Sequence, residues 1–433
     1  MEETRLLTDK SYKYPLEASK NRPGLFVLLV LIVFSFCIPQ TLSYLKLAIL
    51  LLALLLSLFS QSGLSIRTRS TVCRFFIIYT LYCVPSAVLG FIRQNPGTWN
   101  YFRVNYIYYI LLLVCSTLFT KRDHVYKLLK ACEFAAAFIV GYTLLYFLNE
   151  TGVVNLKWFI ILDAYSGVGL HDGYTHITNM NLSMLIFIFP VLLLSSQDKG
   201  FLKCTNNMVL YMVLLMSAVV MLLSGRRIVW ISLAIAIVVY VFGSSNLTIK
   251  QKITRIIGVF LIAVAIILFL IYGGNVFNVT YSGLMLRFKD AFSQYDQYGR
   301  SNVRILQILA LFKGFLKNPI FGSGAGIGVP DCIRSVSAPW TYEMSYNLML
   351  YNSGIVGTLI YFTSLFALLK YLWKQMKHGD IIGKAMLISL IIGLIANATN
   401  PYISSSFDYL FWLFIPIYYI KVNERTFYLG GKT

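Results

Sequence analysis

The sequence predicts an all-α polytopic integral membrane protein with a single membrane domain over residues 1–433. Three observations predict this fold class. The chain is 58% hydrophobic and only 12% charged, its apolar residues fall into separate stretches, and its basic residues concentrate in alternate connections between them. A soluble domain has about 25% charged residues. Because each spanning helix needs roughly 20 mostly apolar residues, a chain of this length accommodates about ten to fourteen spans.

The apolar stretches predict twelve membrane-spanning helices. Their predicted bounds are 24–38, 42–58, 74–92, 105–119, 128–148, 182–195, 208–223, 228–242, 256–272, 348–369, 385–396 and 407–420. Because the number of spans is even, both termini are expected on the same side of the membrane.

The basic residues predict which side of the membrane each connection faces. The leader, the even-numbered connections with their flanks, and the tail hold 24 of the 37 Lys and Arg residues. The positive-inside rule makes that side cytoplasmic, both termini included. This pattern, together with anionic lipid headgroups as partners, accounts for the net charge of +20, so nucleic acid is not an expected partner.

Two predicted outer connections are long: 149–181 and the larger 273–347. Within the larger one, apolar residues at helical spacing over 303–316 predict an amphipathic helix at the membrane interface, ended by Asn318 and Pro319. The glycine-rich run 321–328 that follows predicts a tight backbone turn. Loops of this length are usually functional.

Several arginines lie on the side where basic residues should be scarce. Arg226 and Arg227 occupy a short outer connection, and Arg287, Arg300 and Arg304 lie in the large loop. Guanidinium groups keep their proton and bind phosphate oxygens bidentately, so these residues predict an anion site. The alternative for each arginine is contact with lipid headgroups or a solvated charged face.

Glu343 is the candidate catalytic base. It precedes a long apolar helix and is flanked by aromatic residues, including Trp340 and Tyr342. Apolar surroundings favour a carboxyl group suited to proton abstraction, whereas the alternative is an acid beside a helix dipole. We found no metal-ligand spacing, P-loop or dinucleotide fingerprint, so no metal, cofactor or nucleotide is expected.

Three motifs in order resemble the bacterial O-antigen ligase and polymerase superfamily. The segment 223–230 (LSGRRIVW) is similar to a Ser-Arg motif at a helix start in that family. Arg304, Pro319 and residues 321–326 (FGSGAG) resemble its arginine, helix and Pro-x-x-Gly-x-Gly pattern. Residues 343–357 resemble the next stretch, which ends in Gly-x-x-Gly, here Gly354 and Gly357. The resemblance covers roughly residues 209–366.

The resemblance implies a GT-C-like fold in which Arg227 and Arg304 grip the pyrophosphate of a polyprenyl-linked glycan. Arg226 stands where the family often has serine. Glu343 stands where ligases carry a functional histidine, and this departure favours a polymerase.

The resulting hypothesis is a glycan polymerase at the outer face of the bacterial inner membrane, joining undecaprenyl-pyrophosphate-linked repeat units. Glu343 would act as base with Arg227 and Arg304 as the other catalytic residues. Substrate-binding roles are expected for Arg226, Arg287, Arg300, Trp340 and Tyr342. The expected partners are the lipid-linked oligosaccharide, membrane lipids and, as a candidate, a chain-length regulator.

Three alternatives remain open at the level of sequence. A ligase of the same superfamily would use a different acceptor. A secondary transporter or flippase would typically place ionisable residues in mid-span, but Glu133 and Asp408 lie near predicted helix ends. A structural scaffold would leave the outer arginines unexplained.

Overall fold

The computed structural model describes residues 23–58, 70–157, 159–162, 167–171, 174–224, 226–243, 250, 253–255, 257–258 and 303–430. The described part of the chain is mostly helical. Its α-helices are α1 (Pro23–Cys37), α2 (Ser43–Leu58), α3 (Thr71–Ile92), α4 (Thr98–Phe102), α5 (Tyr108–Cys115), α6 (Arg122–Glu150), α7 (Leu185–Ser195), α8 (Lys199–Cys204), α9 (Asn207–Leu223), α10 (Arg227–Phe242), α11 (Val303–Phe315), α12 (Ser345–Lys377), α13 (Ile381–Thr399), α14 (Tyr402–Ser405) and α15 (Phe411–Gly430).

Within the described ranges, five helical segments are long and apolar enough to cross a membrane. They are Thr71–Ile92, Thr98–Leu118, Arg122–Glu150, Ser345–Lys377 and Ile381–Thr399. The second of these joins α4 to α5 through a π-helical segment, Arg103–Ile107. Five shorter apolar helices accompany them. The structure therefore supports a helical membrane protein.

Eleven of the twelve predicted apolar stretches coincide with described helices, and most of the stretch 256–272 lies outside the described residues. Two helices differ most from the predicted bounds: α12 is longer at both ends than the predicted 348–369, and α15 continues to Gly430, past the predicted end at 420. Polar residues at those ends continue each helix beyond its apolar stretch, so hydropathy alone underestimates its length.

The connection 149–181 contains an element that the sequence analysis did not predict. Strands β1 (Gly167–His171) and β2 (Tyr174–Thr178) form an antiparallel hairpin with Gly167 opposite Thr178. Each strand has only five residues and no long apolar run, so the pattern over this segment carries little strand signal.

The core is organised around α15, whose residues 411–420 are all buried. A helix that is apolar on every side is expected to be surrounded by other helices. In agreement, α15 contacts α6, α13, α3 and α12, while α12 packs along α3 and α13 along α7.

One end of the bundle is tied together by a bidentate ion pair. Arg122 donates to both carboxylate oxygens of Asp380 at 2.9 Å, and the Tyr419 hydroxyl donates to the same carboxylate at 2.7 Å. Burial alone would raise the pKa of Asp380, but the hydrogen bonds and charge of Arg122 lower it to about 2. These contacts join the starts of α6 and α13 to α15.

The amphipathic helix predicted over 303–316 is confirmed as α11, and a tight glycine-rich turn follows it. Gly326 has a φ of +80° and its carbonyl accepts a hydrogen bond from Gly97 at 2.8 Å. A Cβ at Gly326 would lie 2.1 Å from the backbone nitrogen of Thr98. The turn therefore passes so close to the start of α4 that only glycine fits.

Gly354 breaks α12 at the point where that helix meets the same turn. Its backbone has φ 63° and ψ −169°, a region that is essentially restricted to glycine. A Cβ there would lie 2.2 Å from the carbonyl oxygen of Ile320. Ile355 N–H donates to the Pro319 carbonyl at 2.9 Å. The first glycine of the Gly-x-x-Gly pair thus joins α12 to the end of α11.

We predict that Gly354→Ala lowers thermal stability more than Gly379→Ala does. Gly379 also has a positive φ, 81°, but a Cβ there would meet nothing within 4 Å. A positive φ costs a non-glycine residue about 1–3 kcal/mol in both variants, and only Gly354→Ala also collides with the turn. Thermal unfolding of the two variants in detergent checks this, and equal midpoints would contradict the docking role of Gly354.

Candidate functional site

Helix α11 holds Glu343 through two side chains on one of its faces. The Arg304 Nε donates to Glu343 Oε2 at 2.7 Å, and the Glu343 backbone N–H donates to Gln307 Oε1 at 2.8 Å. Residues three apart on a helix are neighbours on its surface, so both can reach segment 340–344. The structure therefore joins Arg304 and Glu343, as the sequence predicts for a shared site.

A second arginine occupies the other oxygen of the Glu343 carboxylate. Arg334 reaches Oε1 at 2.8 Å, and the side chains of Arg304, Arg334 and Glu343 are 41%, 44% and 19% exposed. The structure differs from the expected aromatic surroundings of Glu343, because both carboxylate oxygens are engaged by guanidinium groups. Glu343 is the negative centre of a half-exposed ion-paired cluster.

Arg226 and Tyr402 extend this cluster. Burial raises the pKa of Tyr402, and the charge of Arg226 and a hydrogen bond with it act in the opposite direction. Tyr402 also lies within electrostatic range of Arg304 and Glu343. Tyr402 thus lies between Arg226, in the loop before α10, and the Arg304–Glu343 pair formed by α11. We refer to Arg226, Arg304, Arg334, Glu343 and Tyr402 as the arginine cluster.

The other predicted arginines have different outcomes. Arg227 is the first residue of α10, beside the N-cap residue Arg226. It is half-buried and engaged in interactions of its own. Arg226, the other residue of this pair, bonds to Tyr402. Arg287 and Arg300 lie outside the described residues.

Trp340 and Tyr342 lie on the segment leading to Glu343, and both line a cavity of about 150 Å³. Tyr342 is fully buried, and its hydroxyl accepts a hydrogen bond from the Val329 N–H at 2.7 Å. Burial raises the pKa of this hydroxyl, and the bond from Val329 acts against that rise. The Trp340 ring lies against Gly97, where a Cβ would come within 2.3 Å of it. Tyr342 therefore positions the loop as well as forming a wall.

A buried ion pair connects to the arginine cluster through two tyrosines. Lys46 and Asp408 pair at 2.7 Å with side chains only 2% and 4% exposed, and the Gln40 N–H donates to Asp408 at 2.7 Å. The neighbouring Tyr409 bonds to Ser183 at 2.6 Å, and its ring centroid lies 5.0 Å from that of Tyr402. Contacts from α2, the start of α7 and the segment before α15 therefore support Tyr402.

Sequence reasoning missed Arg334, Gln307 and Tyr402. Arg334 could have been found, because it is another arginine within the predicted outer loop 273–347. Gln307 is a polar residue within the apolar pattern of 303–316, and that position alone indicates no functional role. Tyr402 is one of 30 tyrosines, and nothing in its local sequence distinguishes it.

The arrangement suits an anion with several oxygens. The cluster holds three guanidinium groups and one carboxylate, which Arg304 and Arg334 share, so its five members carry a surplus of positive charge. Arginine remains protonated and can present two parallel donors to a phosphate group. Because Arg304 and Arg334 are partly exposed, such an anion could reach them without unfolding of the site.

Comparison of the chain with protein-family models and with curated proteins returned no match. Functional inference therefore rests on the motifs in the sequence and on the geometry of the arginine cluster.

We predict that Lys46→Met destabilises the protein strongly, by about 3–5 kcal/mol, because it leaves a buried carboxylate without its counter-charge. Adding Asp408→Asn removes that charge and keeps an acceptor for the Gln40 N–H, so the double variant should recover much of the loss. Thermal unfolding in detergent measures both variants. A double variant less stable than Lys46→Met alone would contradict the ion-pair account.

Proposed function

We propose that this chain is a glycosyltransferase that joins polyprenyl-pyrophosphate-linked oligosaccharide repeat units at the outer face of the bacterial inner membrane. The observation that carries the proposal is the arginine cluster, in which Arg226, Arg304 and Arg334 gather around Glu343 and Tyr402. Three of its five members lie in the motifs that resemble the O-antigen ligase and polymerase superfamily.

The proposed topology has twelve spans, cytoplasmic termini and the cluster on the outer side. Residues predicted to share a side do meet. All five members of the arginine cluster belong to predicted outer connections. Arg122, Asp380 and Asn423 belong to predicted cytoplasmic segments and contact one another. Separate contacts within each group support the predicted sidedness.

The outer face of α11 supports an interfacial position for this helix. Val303, Leu306, Leu309 and Phe312 recur every three residues and are between 47% and 59% exposed, whereas Gln307 on another face is fully buried. An exposed apolar stripe on a helix that also carries polar residues is typical of a helix lying in the headgroup region. The arginine cluster would then lie at the depth of a lipid pyrophosphate.

We infer that the donor pyrophosphate competes with Glu343 for its arginines. Phosphate oxygens bound by Arg304 and Arg334 would replace the carboxylate oxygens and release Glu343. The freed carboxylate could then accept the proton of an acceptor hydroxyl. In this way binding of the donor would produce the base at the site of the reaction.

The proposed step is a single displacement. The acceptor oxygen forms a bond to the anomeric carbon, and the bond from that carbon to the pyrophosphate oxygen breaks. The electron pair leaves with the polyprenyl pyrophosphate, and the hydroxyl proton passes to Glu343. Fixed guanidinium charges would stabilise the negative charge that grows on the leaving group.

Two acidic residues that a proton-coupled transporter could use already have partners. Glu133 accepts a hydrogen bond from the Thr205 hydroxyl at 2.6 Å, and Asp408 pairs with Lys46. This favours an enzyme over a transporter. A ligase of the same superfamily would use the same donor chemistry, so the acceptor requirement must separate it from a polymerase.

Purified protein in nanodiscs, supplied with a polyprenyl-pyrophosphate-linked oligosaccharide and no other acceptor, should give a ladder of polymers on a gel. Arg304→Gln should slow the reaction by about 10²- to 10³-fold, the usual cost of losing one donor to transition-state charge. Lys313→Gln is the matched control, because it removes one positive charge from the same helix at an exposed position. It should retain nearly full activity.

The acceptor dependence decides between the two enzymes. Product formed only when a separate lipid acceptor is added would mean a ligase. Absence of product under both conditions, or equal rates in wild type and Arg304→Gln, would contradict the proposed function.

A further inference from the structure

A cavity of about 150 Å³ lies between α3, the α4–α5 segment, α12 and the outer end of α13, beside the arginine cluster. Among the residues that the structure describes, all those lining it are uncharged. The lining instead combines aromatic rings with amide, hydroxyl and indole groups. The described lining therefore offers no cation for a phosphate, and it places polar groups beside aromatic rings.

The deep wall of the cavity is a fixed array of tyrosine rings. Tyr79 stacks on Tyr109 with centroids 4.3 Å apart and planes within 9°. Tyr82 meets Tyr361 edge-on at 5.1 Å. Because packing with other rings fixes each of these side chains, the wall is preorganised.

Four buried polar atoms of lining residues lack a geometrically good hydrogen bond within the part of the chain that the structure describes. They are Tyr101 Oη, which interacts with Tyr82 and Cys83, and Trp340 Nε1, Ser345 Oγ and Asn352 Oδ1, all inaccessible to solvent. Ser345 and Asn352 are only 6% and 7% exposed. Buried polar groups are normally paired, so a donor, an acceptor and a hydroxyl left unpaired around one cavity point to an absent polar ligand.

The cavity shares two of its walls with the arginine cluster. Tyr342 and Ser345 line it while Glu343, between them in sequence, faces Arg304 and Arg334. In the same way Pro401 and Ile403 line it on either side of Tyr402. A ligand in the cavity would therefore be separated from the arginine cluster only by the backbone of these two segments.

We propose that this cavity binds an uncharged sugar ring. Small rotations of the Trp340, Ser345 and Asn352 side chains toward the cavity would let sugar hydroxyl groups pair with them, and the apolar C–H face of the sugar can pack against the tyrosines. Assignment of that sugar to the acceptor end of the glycan rests on the proposed function, whereas sugar binding itself does not.

The test is saturation-transfer NMR on the full-length protein in nanodiscs with D-glucose, D-galactose, N-acetyl-D-glucosamine and L-rhamnose as probes. At least one sugar should bind wild type and bind at least about tenfold more weakly to Asn352→Leu, which loses a hydrogen-bonding acceptor. Ser345→Ala should show the same direction of change. Neither variant should unfold at a lower temperature than wild type, because neither Ser345 Oγ nor Asn352 Oδ1 has a hydrogen-bond partner among the residues that the structure describes.

Ser389→Ala is the matched control, since Ser389 Oγ is equally buried and has no hydrogen-bond partner in the described ranges, but Ser389 does not line the cavity. It should bind the sugar as wild type does. No variant-sensitive binding of any of the four sugars, or equal loss in Ser389→Ala, would overturn the proposal. If Asn352→Leu fails to fold, sugar binding to Ser345→Ala decides the test.

Inorganic pyrophosphate, added in a separate titration, distinguishes this proposal from the proposed function. Sugar binding together with pyrophosphate binding that Arg304→Gln weakens supports both. Sugar binding without any pyrophosphate binding would retain the sugar site and remove the support for a pyrophosphate-dependent transferase.

Discussion

The carboxylate of Glu343, shared by two guanidinium groups, is the interaction on which the candidate site depends. Arg304 comes from α11 and Arg334 from the loop after it, so one acidic side chain fixes two separate segments. Gln307 adds a bond to the Glu343 backbone. Together these contacts set the path of residues 340–345, and that path forms both a wall of the uncharged cavity and the edge of the cationic site. Exposed ion pairs contribute little to stability, so we ascribe to this arrangement a role in positioning charge.

The fold beneath the site keeps two chemical environments apart at short range. Glycines at 326 and 354 let the turn after α11 pass against α4 and the break in α12, which anchors the loop to rigid helices. The Lys46–Asp408 pair and the Tyr409–Ser183 bond hold Tyr409 in place, and the Tyr409 ring packs against Tyr402. As a result, guanidinium groups face one side of the 340–345 and 401–405 segments, while hydroxyl, amide and aromatic groups face the other. This division fits a substrate with an anionic part and an uncharged glycan part.

Much of the fold could be predicted from the sequence because hydropathy is a local property. The apolar stretches, α11 and the glycine-rich turn all follow from composition over a short window, and eleven stretches coincide with helices. The sequence predicts that Arg304 and Glu343 belong to one site, but it does not predict that they form an ion pair. Arg334, Gln307 and Tyr402 were missed because their contacts join residues far apart in sequence, such as Arg226 and Tyr402. The β1–β2 hairpin was missed because its strands are too short to show a period.

The arginine cluster is proposed to recognise a lipid pyrophosphate. The affinity of the protein for the donor lipid tests this recognition most directly. Undecaprenyl pyrophosphate and undecaprenyl phosphate would be titrated into nanodiscs containing wild type or the double variant Arg304→Gln/Arg334→Gln. The second phosphate group can form additional charge-assisted hydrogen bonds with the arginines. Wild type should therefore bind undecaprenyl pyrophosphate at least about tenfold more tightly than undecaprenyl phosphate. The double variant should bind the two lipids alike. Equal affinity of wild type for both lipids, or a preference that survives in the double variant, would contradict the account.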